Sequence, residues 1–218
     1  MRRRSPLAVM AVLLWAMAAC TVDDYESGDG RYSYTRADFA MIHTSDTARV
    51  NYMLTDDGDS VAFDGLGAVD WATIPDSMYR ALVYYDVSTS RFFSATPVFV
   101  TIPTTPSSDK PTPIDPLTIE SVWIGGGFLN IGFAVKTGRT DSIESRQQVG
   151  VMLENIIVTR EGRRMFDIRV IHAQNGIPEY YTVRGYMSMP LTKDMQGAAI
   201  RLKVNTYEGE KAWIFFNF

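Results

Sequence analysis

The 218-residue chain is short of almost everything that covalent and metal chemistry draws on. It has one cysteine, Cys20, and two histidines, His43 and His172. With Cys20 committed elsewhere, as argued below, no thiol is left for a disulfide, a nucleophile, an iron–sulfur cluster or a cysteine metal site. Neither HExxH nor HxH spacing occurs, so a histidine-built zinc site has no footing. No Gly-x-Ser-x-Gly elbow occurs either. Basic excess is missing: 21 basic against 25 acidic side chains cannot neutralise a phosphate backbone, so nucleic acid is not an expected partner. Beyond residue 20 no apolar run approaches the ~20 residues that a membrane span needs.

What is present starts at the amino terminus. Arg2, Arg3 and Arg4 precede an apolar run from Leu7 to Trp15, followed by small residues to Ala19. A basic head and a short apolar segment predict a secretory signal peptide over 1–19. Met17-Ala18-Ala19-Cys20 resembles the bacterial lipobox Leu-(Ala/Ser)-(Gly/Ala)-Cys, with Met17 in place of leucine. The resemblance implies a diacylglycerol thioether at Cys20, cleavage before it and acylation of the new amino terminus. A plain signal peptide or a stray cysteine is the alternative. Each buried acyl methylene contributes ~0.8 kcal/mol, and two or more chains make such an anchor durable. The expected partner is therefore a membrane, held through the lipid at Cys20, and the expected location is the cell envelope, as an outer-membrane lipoprotein. Asp23-Asp24 resembles the acidic export signal of surface-exposed Bacteroidetes lipoproteins; a solvated acidic tether accounts for it equally.

Removing residues 1–19 takes three arginines and no acid, leaving 18 basic and 25 acidic side chains, a charge of −7. Residues 20–36 are polar and rich in Gly, Ser and Asp, as a lipidated flexible tether would be. A second break falls at 103–116, where five prolines stand in fourteen residues. Proline locks φ and cannot donate to a ladder, so this reads as a semi-rigid extended linker, placed at 106–116. It separates a first body (37–105) from a second (117–218). The acidity is concentrated in the first: residues 25–113 carry −6, residues 114–218 carry +1.

The pattern is β throughout. Leu129, Ile131, Phe133 and Val135 alternate with Asn130, Gly132, Ala134 and Lys136, predicting a half-buried strand. Phe166, Ile168 and Val170 alternate with Asp167 and Arg169, and Ile200, Leu202 and Val204 with Arg201 and Lys203. Further strands are expected at 118–124, 149–158, 180–190 and 211–217. Gly125-Gly126-Gly127, Glu161-Gly162, Asn175-Gly176 and Glu208-Gly209 mark turns, Asn-Gly being a hairpin signal. Seven strands predict an antiparallel β-sandwich, with a closed barrel as the alternative. In the first body strands are expected at 39–44, 48–55, 60–64, 79–87 and 96–102, with Trp71 to Ser77 irregular; five short strands suit a small OB-like Greek-key barrel. Trp213 and Phe215 alternate with Ile214, Phe216 and Phe218, so the last strand is apolar on both faces and is expected inside a sheet or under the first body.

The run from Ile119 to Phe133, IESVWIGGGFLNIGF, resembles the segment that opens the C-terminal domain of NigD-like proteins, which are Bacteroidetes lipoproteins. The runs from His172 to Tyr181, Tyr186 to Leu191 and Leu202 to Tyr207 are similar to later blocks of that family. The resemblance implies a lipobox, an N-terminal OB-like barrel and a C-terminal β-sandwich. It supplies no catalytic residues and no cofactor. The family takes its name from a bacteriocin-associated gene cluster.

Each remaining motif has a plain structural reading. His172 shares parity with Val170 and should be a hydrogen-bonded structural histidine on the core side; His43, ending an apolar strand, should also be a hydrogen-bonded structural histidine. Asp56-Asp57-Gly58-Asp59 lacks the spaced ligands of a calcium loop and reads as a solvated hairpin tip. Gly125-Gly126-Gly127 precedes a strand, so it is not a phosphate loop. Ser107-Ser108-Asp109-Lys110 matches Ser-x-x-Lys, but among prolines instead of on a helix. Aromatics are dense, with Trp71, Tyr79, Tyr84, Tyr85, Phe92 and Phe93 in the first body and Tyr180, Tyr181 and Tyr186 in the second; most should be core. One of Tyr84 and Tyr85, and one of Tyr180 and Tyr181, should face outward. No catalytic, metal or cofactor residue is assigned; the one site residue is Cys20, for lipidation. The chain reads as a non-catalytic binding or accessory module for an envelope protein or glycan, or alternatively as a bacteriocin immunity-type lipoprotein, with enzyme the least favoured class.

Overall fold

The structure, a computed structural model, describes residues 34–109, 111–139, 146–160 and 162–216. Cys20, the expected signal peptide and the expected tether as far as residue 33 lie outside the described residues, as do Lys110, Glu161 and Phe218.

The fold is all-β. Strands β1 (Thr35–Asp46), β2 (Arg49–Thr55), β3 (Ser60–Ala68), β4 (Ser77–Asp86) and β5 (Phe92–Pro97) form one antiparallel sheet in the order β3-β2-β1-β4-β5. The sheet curls into a half-barrel, bringing its edges together. Asp64 N–H donates to Ser90 O at 3.1 Å, and the Phe63 and Phe92 rings meet edge to face at 5.1 Å. Alternation dictates the inner face: Ala40, Ile42 and Thr44 of β1 point inward, with Val50, Met53, Ala81, Val83 and Tyr85 closing a small core.

The remaining strands form two sheets packed face to face. One has the order β6-β11-β8-β7, from β6 (Phe99–Val100), β7 (Thr118–Gly125), β8 (Phe128–Thr137) and β11 (Tyr181–Pro190). The other has the order β13-β12-β10-β9, from β9 (Gln148–Val158), β10 (Arg164–Ala173), β12 (Ala199–Thr206) and β13 (Gly209–Phe216). The predicted alternation fills the space between them with Leu129, Ile131, Ile168, Met187, Met189, Ile200 and Leu202, all fully buried. Full burial of one such side chain contributes about 1.5–3 kcal/mol.

Several expectations change in detail. The sandwich is not wholly antiparallel: β10 pairs with β12, and β6 with β11, in parallel. For β10 and β12 the cause is at Asn175-Gly176, whose φ values of 50° and 72° turn the chain out of one sheet into the other instead of closing a hairpin. The chain then returns through a 3-10 turn at Lys193–Met195 to the far side of β10. The run expected as one strand at 96–102 splits at Val98, whose N–H donates to Arg80 O at 3.0 Å; Pro97 ends β5 and Phe99 starts β6 in a different sheet. The proline-rich segment is extended but docked. Thr104 N–H donates to Val151 O at 3.0 Å, and the Thr104 carbonyl accepts from Leu153 N–H at 2.8 Å. Further on, His172 N–H donates to Pro113 O at 3.1 Å. Prolines cannot donate, but their carbonyls still accept.

β8 is buried on both faces, not one: Asn130 and Ala134 are as covered as Leu129 and Ile131, and Arg80 and Asp56 of the half-barrel close over Asn130. The opposite correction applies to β13. It is an edge strand; Trp213 and Phe215 pack on the core, while Ile214 and Phe216 remain 48% and 54% exposed.

Candidate functional site

The half-barrel meets the sandwich along a polar seam centred on Arg80. Inside β4, Arg80 turns toward β8 and β11, its side chain wholly buried. A buried guanidinium is tolerated only when paired and fully hydrogen-bonded. Asp56, at the β2–β3 turn, grips it with both oxygens, Nη2 to Oδ2 at 2.6 Å. Nη2 also donates to Asn130 Oδ1 at 3.0 Å, and Nε to Ser188 Oγ at 3.3 Å. Ser188 Oγ in turn donates to Asn130 Oδ1 at 2.7 Å. The guanidinium carbon lies 4.5 Å from the Phe128 ring centre, a cation–π contact strengthened by burial. Gly126 completes the seam. Its N–H donates to Asp56 O at 3.1 Å, its φ is 59°, and a Cβ there would collide with the Asp56 carboxylate.

Beside this lock lies an aromatic cluster. Phe39 of β1 meets Trp123 of β7 at 4.9 Å and Tyr186 of β11 at 5.0 Å, both edge to face. Past Tyr186 the surface opens. β5 and β11 diverge from the crossing at Val98, leaving a cleft of about 510 Å³ between half-barrel and sandwich. Its walls are Leu82, Tyr84 and Thr96 on one side and Phe133, Arg184 and Tyr186 on the other. Tyr84, Phe99 and Tyr186 are each at least a third exposed. The wall residues include a single charged side chain, Arg184, which donates to Glu120 at 2.6 Å. A mostly apolar slot with exposed aromatic rings suits recognition of another molecule's surface.

Sequence reasoning placed some of these residues and missed others. Tyr84 faces out and Tyr85 in, as parity required; burial and a 2.8 Å hydrogen bond to Asp38 push the Tyr85 phenol up to about 12. Tyr180 and Tyr181 are both exposed, because this end of β11 runs beyond the sandwich core. Asp57 and Asp59 sit on a solvated turn as expected, but Asp56 does not: it is the Arg80 counter-ion. Gly125-Gly126-Gly127 is the β7–β8 turn, and its bareness lets Asp56 approach. His172 is buried with Nδ1 3.2 Å from Asp115 O and Pro116 O, while Nε2 meets no partner. His43 stacks on Tyr52 at 4.7 Å, and hydrogen bonds to Asn51 and Asp76 hold its pKa above the ordinary value. Ser107 and Ser108 lie in the docked linker, on no helix. Arg80, Asn130 and Ser188 were missed. The available signal was a lone arginine within the otherwise apolar run MYRALVYY of its own strand.

A second charged group covers the outer face of the β9–β13 sheet. Asp167 is held by Arg201 at 2.6 Å and Lys203 at 3.3 Å; Glu154 by Arg169 and by Lys203 at 2.9 Å; and Arg169 also reaches Glu210 at 2.8 Å. Burial pushes the Asp167 and Glu154 carboxyls up, but the hydrogen bonds from these cations outweigh it, and both pKa values fall below the usual range. Register explains the array: Asp167 stands opposite Arg201 and Arg169 opposite Lys203. No group of three or more acidic, histidine or cysteine side chains placed to hold a metal occurs among the described residues.

Comparison with known proteins places the chain. No curated protein matches it. Solved structures do. A NigD-like immunity protein from Bacteroides caccae superposes over 83% of this chain and 92% of its own, with TM-score 0.59 and 20% identity. A Parabacteroides distasonis protein, provisionally named as toxin related, gives 84%, 93%, 0.65 and 20%. A protein of unknown function from Bacteroides vulgatus gives 84%, 91%, 0.61 and 17%. At these identities the likeness is one of fold, and it extends over half-barrel and sandwich together. The sequence model of the NigD-like C-terminal β-sandwich domain matches residues 100–218, more than half of the chain and all of the sandwich from Val100 onward. The chain belongs to the NigD-like family.

Proposed function

We propose that this NigD-like chain is an immunity-type lipoprotein of the cell envelope, tethered through Cys20, that binds a proteinaceous toxin or its envelope receptor without catalysing a reaction. The observation that carries the reading is the cleft between β5 and β11, with Tyr84, Phe99, Phe133 and Tyr186 around it on a locked frame. Aromatic rings fixed in place before binding give affinity at little entropic cost. The name of the Bacteroides caccae relative supports the immunity reading, and that of the Parabacteroides distasonis relative agrees with it. The same rings would also stack on a sugar, which keeps an accessory role toward an envelope glycan as the second reading.

Deleting the gene and challenging the strain with bacteriocins of related strains tests the proposal. Sensitivity should rise, and complementation with Tyr84→Ser or Cys20→Ser should not restore protection. Metabolic labelling with an alkyne fatty acid should mark the native chain and leave Cys20→Ser unlabelled. Unchanged sensitivity across the panel rejects the immunity reading; binding of the purified chain to a glycan array would then favour the second.

A further inference from the structure

The wall of the cleft formed by β11 is an open strand edge. β11 pairs along its whole length with β8, from Tyr181↔Thr137 to Pro190↔Phe128, without a register shift. On its other side it pairs only at Met187 and Ser188, with the two residues of β6. The phase of the remaining main-chain groups follows from two bonds. Leu191 N–H donates to Gly127 O at 2.9 Å, toward β8. Ser188 O accepts from Thr101 N–H at 3.0 Å, away from β8. Alternation along an antiparallel strand then turns the N–H and C=O of Arg184 and Thr182 to the same open side as Ser188. Among the described residues these groups meet no partner.

We infer that the cleft takes an extended segment of a partner protein as an added strand on β11, in line with β6 and upstream of it. The inference rests on the reading of the cleft as a protein-binding site and names its mode of recognition. Two features select this occupant. Unpaired N–H and C=O groups at strand spacing recognise another extended backbone, and β6 has already formed the first rungs of the same interface. The flanks offer pockets of alternating side: Phe133 lies over Gly185, where a Cβ would stand 3.1 Å from its ring, and Tyr84 and Tyr186 border the cleft nearby. This stretch of β11 carries no proline and a single charge, Arg184, which is drawn aside to Glu120 at 2.6 Å.

The test uses the mature chain and a displayed library of random linear peptides, with the selected peptides remade as synthetic probes. Arg184→Pro deletes the outward N–H while sparing the β8 ladder, because the main-chain groups of Arg184 do not face β8. It should weaken peptide binding about tenfold, the loss expected for one rung and its neighbours. Arg184→Ala, which keeps the backbone and loses the side chain, should bind within threefold or so of the native chain on the same scale. Hydrogen exchange of the native chain, which requires no variant to fold, should show the Thr182 and Arg184 amides fast when free and protected with peptide. Peptides that lose affinity with Tyr84→Ser but not with Arg184→Pro overturn strand addition and leave the cleft reading standing. Peptides indifferent to both overturn the two together, as does failure to select any peptide. Protection of the two amides without peptide assigns the edge to the chain's own amino-terminal segment or to a second copy, and overturns the partner.

Discussion

Arg80 and Arg169 each hold a carboxylate, one inside the seam and one on the outer face of the sandwich. Arg80 is wholly buried, and every group around it is committed: Asp56, Asn130, Ser188 and the Phe128 ring. Arg169 is partly exposed, holds Glu154 and Glu210, and shares Glu154 with Lys203. The chemistry is the same and the solvent differs. On the outer face the cations keep some contact with water, and Asp167 and Glu154 each have two of them, so losing one partner is partly compensated. In the seam nothing compensates, so the geometry is held or lost as a whole.

That contrast can be broken most directly at the seam. Arg80→Ala should destabilise by about 3 kcal/mol in urea unfolding, since it strands a mostly buried carboxylate and empties the guanidinium's buried site. Adding Asp56→Ala should recover part of the loss by removing the stranded charge; a double variant no more stable than Arg80→Ala would mean that the charge was never the problem. Gly126→Ala should cost about 2 kcal/mol, from the left-handed φ and the Asp56 carboxylate that a methyl would meet. Asp167→Asn, a buried carboxylate on the outer face whose partners Arg201 and Lys203 stay partly exposed, should cost about 1.5 kcal/mol, the loss of hydrogen bonds to a charged group. Its effect should also depend on pH. A carboxylate whose folded pKa lies below its unfolded value contributes fully above that unfolded value, about 4, and the contribution fades as pH falls through the folded pKa. Native stability should thus drop below about pH 4, and Asp167→Asn with Glu154→Gln should flatten that slope, as read from melting temperature against pH. The smallest effect belongs at the β13 edge, where Ile214→Thr with Phe216→Thr should change stability by no more than about 0.5 kcal/mol.

Strand positions were legible because apolar alternation is local. Ile200, Leu202 and Val204 announce β12 whatever they pack against. Pairing was not legible. Asn175-Gly176 supports a hairpin in any local reading, and only the placement of β11 beside β8 shows that it links two sheets. Asn130 reads as the wet side of a strand because nothing in its neighbourhood of sequence reveals the half-barrel above it. Phe216 and Ile214 erred in the other direction: two apolar faces suggested an interior strand, and the sheet ended there. The cleft was readable only in part. Tyr84 could be assigned outward by parity, but its meeting with Arg184 and Tyr186 depends on the crossing at Val98, which brings together segments a hundred residues apart.

The crossing at Val98 also bears on how such a protein can be inherited and recombined. A splice at residue 100, where the match to the sandwich family begins, would cut β6 between its two residues. It would also separate Arg80 and Asp56 from Asn130 and Ser188, leaving each half with a polar group made for the other. Half-barrel and sandwich are therefore not interchangeable cassettes. A functional chimera between relatives has to carry the four seam residues as one allele, or replace all four at once.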